Sequence, residues 1–377
     1  MARAVSVAEM EESPESDRLE GFPHPRLTAR VYGHEDKEAA FAEGFQSGRL
    51  HHGWLVTGPE GVGKATLTYR MTRFLLADER DRDPFGQSLD VPADSPSSRQ
   101  VNVLAHPGLL LLRRPWDVKA KRFKTEIPVD EVRRLRSFLN LTAAEGQYRV
   151  VLIDTADDLN ANAANAVLKS LEEPPARTVF ILLTSQPGRL LPTVRSRCRT
   201  LDLAPLSPDV LKRAVAQAIS ASGENVTAAV PAGDDWALLE RLAGGSVRRV
   251  LSLQTGGGLD LERRLEAFVA ALPSVDWLAV HSLADEVSSA AAETKFNLVR
   301  GLLSSLIARL IRAQATGAGA ASDLALARRL IGEGRLAAWA SLWETLAAEA
   351  ATVEALNLDK KSLILQTFAH LEMASRS

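Results

Sequence analysis

Two short stretches of the chain have the residue types and spacing of a nucleotide site. Gly58-Pro-Glu-Gly61-Val-Gly63-Lys64-Ala65-Thr66 follows an apolar run and precedes a helical pattern. Glycines at that spacing let backbone N–H groups turn onto phosphate oxygens, and Lys64 adds a point charge for the outer phosphates. Val151-Leu-Ile-Asp154-Thr155-Ala-Asp157-Asp158 reads as a buried strand ending in carboxylates, where Asp154 could hold magnesium through water. Each stretch lacks one group that hydrolysis would want. Ala65 stands where a magnesium-binding hydroxyl is expected, and Thr66, about 100° further around the helix, points elsewhere. Thr155 stands where a second carboxylate would orient the attacking water. The bland alternatives are a tight glycine turn and a capping aspartate. The expectation is a nucleotide fold in which ATP binding survives weakly and hydrolysis is weak or absent.

The elements that position these residues follow from hydrophobic periodicity. Trp54–Thr57, Leu109–Leu112, Val150–Ile153, Val179–Leu183 and Thr200–Leu203 are short apolar runs and read as strands. Between them lie helical patterns: Leu67, Met71, Phe74 and Leu75; then Val132, Leu135, Phe138 and Leu139 in a helix beginning near Asp130. A third carries Ala164, Val167, Leu168 and Leu171 behind an Asn160 N-cap and stops at Pro174-Pro175. Strands alternating with helices imply a parallel sheet covered on both faces. Residues 1–22 read as a flexible lead, and Asp78–Gln100 as an exposed insertion. After Ser207 the pattern is helical throughout, broken at Gly256-Gly257-Gly258. The domains expected are 23–205 (α/β), 206–256 (small helical) and 257–377 (all helical).

The 377 residues carry a formal charge of −2, so no global basic field points to nucleic acid. The single cysteine, Cys198, allows neither a disulfide framework nor a four-cysteine zinc site. A reducing cytoplasm fits, and no run reads as a signal peptide or membrane span. Arg113–Lys124 is locally basic; it could meet a DNA backbone or a partner, or be a solvated loop. Trp339 and Trp343 share one helix face and read as core or interface anchors.

Val194-Arg195-Ser196-Arg197-Cys198-Arg199 in isolation is a basic surface turn with one small apolar residue. Its position in a series of motifs says more. Gly48–Trp54, Gly58–Thr66, Val151–Asp157, Asn165–Pro175, Leu191–Cys198 and Gly245–Arg248 run in one order, and that order resembles the clamp-loader branch of the AAA+ proteins of bacterial DNA polymerase III. Leu171-Glu-Glu-Pro-Pro175 and Ser196-Arg-Cys198 are the most specific pieces.

The resemblance implies an α/β P-loop AAA+ core with a parallel sheet, a small helical lid and an all-α C-terminal collar. It implies that Arg197, in the Ser196–Cys198 motif, is a finger reaching into a neighbouring subunit's ATP site. Thr184 or Ser185 would take the first sensor position and Arg248 the second, beside the chain's own loop. The implied partners are gamma/tau and delta subunits in a hetero-oligomeric ring, the sliding clamp, and primer-template DNA through the complex. The chain would be a non-motor wall of that ring within a nucleotidyltransferase complex. The family often carries a zinc module after its first helix; Asp78–Gln100 has no cysteine, so no zinc is expected there. An active gamma/tau-type motor is the alternative, and a nucleotide-binding scaffold outside replication a weaker third.

Overall fold

The computed structural model describes residues 14–83, 88–140, 147–222, 229–289, 292–356 and 358–376. Two compact units emerge. One holds residues up to 231 together with 243–249; the other holds 232–242 and 250–377.

Among its described residues the first unit is built on seven strands: β1 (Gly53–Thr57), β2 (Leu109–Arg113), β3 (Trp116–Asp117), β4 (Arg122–Phe123), β5 (Arg149–Asp154), β6 (Thr178–Thr184) and β7 (Arg199–Asp202). Five form a parallel sheet in the order β2-β5-β6-β1-β7, and β3 and β4 form a separate antiparallel hairpin. Every residue of β1 and β6 is buried. Alternate residues feed two cores, as the period of a strand requires. Trp54, Val56, Val150, Leu152, Ile181 and Leu183 pack on the helix Lys64–Leu76. Leu55, Val151, Ile153, Phe180 and Leu182 pack on the helices Val129–Asn140 and Ala161–Glu172. Asn160 caps the latter helix, accepting from the Ala163 N–H at 2.9 Å.

Two segments are more ordered than their composition suggests. Leu89, Ser95, Ser97 and Ser98 are buried, and a helix starts at Pro96 behind the Ser95 cap, so 88–100, expected as an exposed insertion, packs on the body along one side while Asp90, Asp94, Arg99 and Gln100 stay exposed. Proline at the first helical position and a serine cap explain that start. Residues 14–22, expected within a flexible lead, are held by Phe22, which is buried, and by two carboxylates. Glu15 pairs with Arg26 (2.7 Å) and Arg113 (2.8 Å), and Asp17 pairs with Arg113 and His24, both at 2.7 Å. Residues 1–13 of the lead lie outside the described residues.

The second unit is helical. Its longest helix, Glu293–Thr316, buries Phe296, Val299, Leu303, Leu306, Leu310 and Ala313, a three–four alternation that makes one continuous apolar seam. Trp339 is fully buried, whereas Trp343 is partly exposed and its indole N–H donates to Ser304 Oγ at 3.1 Å. A buried charge cluster ties three helices: Arg309 reaches Glu262 (2.8 Å), Glu266 (3.1 Å) and Asp323 (3.2 Å). Among the described residues, no helix is long and apolar enough to cross a membrane.

Candidate nucleotide site and arginine turn

The glycine loop sits between β1 and the helix Lys64–Leu76, at the C-terminal edge of the sheet. At Gly61 φ is +78°, a conformation that side-chain-bearing residues avoid, and an added Cβ would strike Ser246 and Arg248. The loop is therefore closely covered: the Val247 N–H donates to the Gly61 carbonyl at 3.0 Å. Gly58 and Gly63 also lie at positive φ. Lys64 is buried and turned inward. Its ammonium donates to the Gly58 carbonyl (2.8 Å), the Pro59 carbonyl (2.7 Å) and Ser185 Oγ (2.9 Å). Burial lowers its pKa, opposed by Glu60, Asp154 and Asp157.

Asp154 ends β5 almost fully buried, and its Oδ2 has no hydrogen-bond partner. Burial, reinforced by the nearby charge of Asp17, pushes its carboxyl up to about 7, against the pull of Lys64 and Arg113. Asp17 moves the other way. Burial opposes its ionisation, but the hydrogen bond and charge of His24, with the charge of Arg113, hold it at about 2. Thr155 turns its hydroxyl to Asp158 at 3.1 Å, and Asp158 pairs with Arg114 at 3.0 Å.

The residues expected at the sensor positions differ in their contacts. Thr184 is buried and donates its hydroxyl to Asp157, which also accepts from the Ser185 N–H at 2.8 Å. Ser185 Oγ is the group that meets Lys64. Arg248 pairs with Glu60 of the loop at 3.2 Å and donates to the Asp17 carbonyl at 3.3 Å. The segment around Asp17 thus runs across the sheet edge between Arg113 and Arg248. Sequence reading missed this strap, because Glu15 and Asp17 look like any acidic leader.

For a nucleotide's phosphates the chain offers the glycine loop, with Lys64 and Arg248 the cations beside it, though Lys64 is turned onto the loop's own carbonyls. A divalent ion fits poorly: position 65 offers Ala65, Thr66 is one helix step round, and Asp17, Asp157 and Asp158 are taken up by arginines or hydrogen bonds, which leaves the Asp154 carboxylate.

The arginine turn lies between the short helix Pro192–Arg195 and β7. Arg197 is partly exposed; it pairs with Glu172 at 2.8 Å and donates to the Thr193 carbonyl at 3.0 Å. Ser196 Oγ donates to the same carbonyl at 3.1 Å. Cys198 is half-buried, and burial raises its thiol to about 11, so it packs rather than reacts. The turn is seated against β1: a Cβ on Gly53 would lie 2.8 Å from the Arg197 carbonyl and 3.2 Å from Cys198 Sγ. Arg197 and the glycine loop are separate features: its hydrogen-bond and ion-pair partners Glu172, Thr193 and Ser196 all lie outside that loop.

A parallel five-stranded sheet with a glycine loop after β1, an acidic end on β5 and a basic turn entering β7 defines a P-loop protein of the AAA+ type. Residues 33–207 match a family model described as DNA polymerase III, delta subunit. The chain is 32% identical over 234 residues to DNA polymerase III subunit delta' of Escherichia coli, covering 62% of this chain and 64% of that one. It is 36% identical over 147 residues to the delta' subunit of Pseudomonas aeruginosa, covering 39% and 41%. To subunit gamma/tau of Mycobacterium bovis it is 30% identical over 230 residues, covering 61% and 36%. The chain spans less than two thirds of the length of these curated relatives. The chain is thus similar, over its first unit, to clamp-loader subunits of DNA polymerase III, delta' and gamma/tau subunits among them.

Proposed function

We propose that this chain is a delta-prime-type stator of a clamp loader, largely without ATPase activity of its own. It stands in a ring with gamma/tau and delta subunits and supplies Arg197 to the ATP site of a neighbour. The ring loads a sliding clamp on primed DNA. The observation that carries this reading is a contrast within one unit. The Arg197 turn is intact and presented at the surface, while the chain's own loop has Ala65 and a Lys64 bonded back onto its own backbone, and β5 is followed by Thr155.

In the neighbour's site, the guanidinium would neutralise charge gathering on the transferred phosphoryl, an effect of roughly a thousandfold or more in related chemistry. Glu172 holds that guanidinium in the free chain, and binding a neighbour exchanges the pair for phosphate oxygens. Nucleotide, where it binds this chain, is a structural ligand. The test has two parts. Purified chain mixed with gamma/tau and delta subunits is expected to elute as one assembly. The chain alone is expected to show no ATP turnover above a protein-free control. Motor-like turnover by the chain alone would favour the gamma/tau-type alternative, and absence from the assembly would remove the stator reading.

A further inference from the structure

The hairpin of β3 and β4 is not used by either site. Its core is small: Trp116 pairs with Phe123 across the strands, ring centroids 4.9 Å apart and 71° between planes. Its turn is fixed by Asp117, whose Oδ1 accepts from the Lys119 and Ala120 N–H groups at 3.0 Å each. The Lys124 N–H closes the base onto the Pro115 carbonyl at 3.0 Å.

The cations of this segment are sorted by position. At the root, Arg113 is neutralised by Glu15 and Asp17, and Arg114 by Asp158. Beyond the root, Lys119, Lys121, Arg122 and Lys124 are exposed, and among the described residues none forms an ion pair. The one carboxylate in the turn, Asp117, accepts from backbone N–H groups and, opposite Arg122 in register and near Lys124, offsets only part of the four charges. A solvated loop needs no such sorting or fixed turn. In a chain of net charge −2, the four cations are a local exception. We infer that the hairpin Trp116–Lys124 is a contact for the phosphate backbone of nucleic acid, with Lys119, Lys121, Arg122 and Lys124 as its phosphate ligands.

Phosphate backbone is the fitting partner for physical reasons. Lys and Arg act there as sequence-independent point charges, and four of them within six residues match a closely spaced line of negative charge. The half-buried Trp116 and Phe123 stiffen the support. No base-stacking surface is offered, so the contact is blind to sequence. This inference deepens the stator reading and rests on it for the identity of the DNA, a primed template.

The experiment compares the full chain with the variant Lys119→Gln/Lys121→Gln/Arg122→Gln/Lys124→Gln, all at exposed positions. A fluorescent duplex with a single-stranded overhang is titrated by anisotropy at several salt concentrations. The variant is expected to bind about tenfold or more weakly at low salt, with the slope of log K against log salt reduced by roughly three. Equal affinity and slope in the two proteins, or no DNA binding by the parent chain, would overturn the inference. Size-exclusion with gamma/tau and delta subunits is run in parallel. Assembly of the variant with lost DNA affinity supports the inference. Lost assembly with retained DNA affinity makes the hairpin a protein interface and overturns it. Failure of the parent chain to assemble sinks the stator reading but leaves the DNA titration readable.

Discussion

Arg197 and Asp154 carry the two halves of the account at the level of single residues. Arg197 is held by Glu172, so Glu172→Ala should free the guanidinium without touching the sheet. An exposed pair of this kind contributes about 0–1 kcal/mol, so thermal stability is expected to hold while assembly with the neighbouring subunit is kept or tightened. Loss of assembly in that variant would mean that Glu172 is itself an interface group. Asp154 makes a prediction about pH. Its carboxyl titrates at about 7 in the fold against an ordinary value near 3.8, so the folded chain binds the extra proton between those limits. The stability it contributes is full below 3.8 and is lost as pH rises through 7. Asp154→Asn should therefore raise the melting temperature at pH 8 by roughly 1–3 °C and lose that advantage near pH 4.5. A melting temperature unchanged across the range would show that Asp154 is not held protonated by burial. The chemistry-bearing residue types were legible in sequence at this scale: Lys64, Asp154 and Arg197 sit in recognisable spacing. Their partners were not, because Ser185, Glu172 and Asp17 are brought to them by contacts 121, 25 and 137 residues away along the chain.

Among the elements, the register of β1 against β7 matters most. The pairing Trp54↔Arg199 brings Gly53 beneath the Arg197 turn, where there is no room for a methyl group. Gly53→Ala should cost about 1–3 kcal/mol and displace the turn, weakening stimulation of a neighbour's ATPase beyond the loss of stability. A variant with both properties unchanged would contradict the seating of the turn on β1. The strands were readable because β1, β5 and β6 have unbroken apolar runs, and their observed limits extend the sequence reading by one residue at the start of β1 and at both ends of β5 and β6. The segment 88–102 was not readable as ordered. Its Asp, Pro and Ser composition is that of a loop, and only Leu89 and the Ser95-Pro96 helix start reveal that it packs.

Over the whole molecule, the two units answer to different forces. The first is stabilised by two apolar layers on a parallel sheet. The second has, besides its apolar seam, a buried ionic knot whose centre is Arg309. Burial raises the Glu262 carboxyl, and Arg309 opposes that rise. Removing one partner strands a buried charge, so Arg309→Met should destabilise the second unit by ~3–5 kcal/mol. Chemical denaturation is expected to show that unit melting early while the sheet unit keeps its transition; a single unchanged transition would exclude the knot as a stabilising element. Helical content beyond residue 207 was evident from the Ala- and Leu-rich periodicity. The knot was hidden, since Glu262, Arg309 and Asp323 lie on separate helices and look like solvent-facing charges in sequence. The family series of motifs ends at Arg248, so the role of the second unit in a ring rests on the proposed assembly.

The central claim is that this chain lends a positive charge to a neighbour's phosphate chemistry while its own pocket does little. The direct measurement is DNA-stimulated ATP hydrolysis by a loader reconstituted with gamma/tau and delta subunits, in which only this chain is varied. Arg197→Ala is expected to suppress hydrolysis at the adjoining site by roughly a thousandfold, and Lys64→Ala to leave the rate of the assembled ring unchanged. Full activity with Arg197→Ala, or collapse with Lys64→Ala in an intact assembly, would contradict the account.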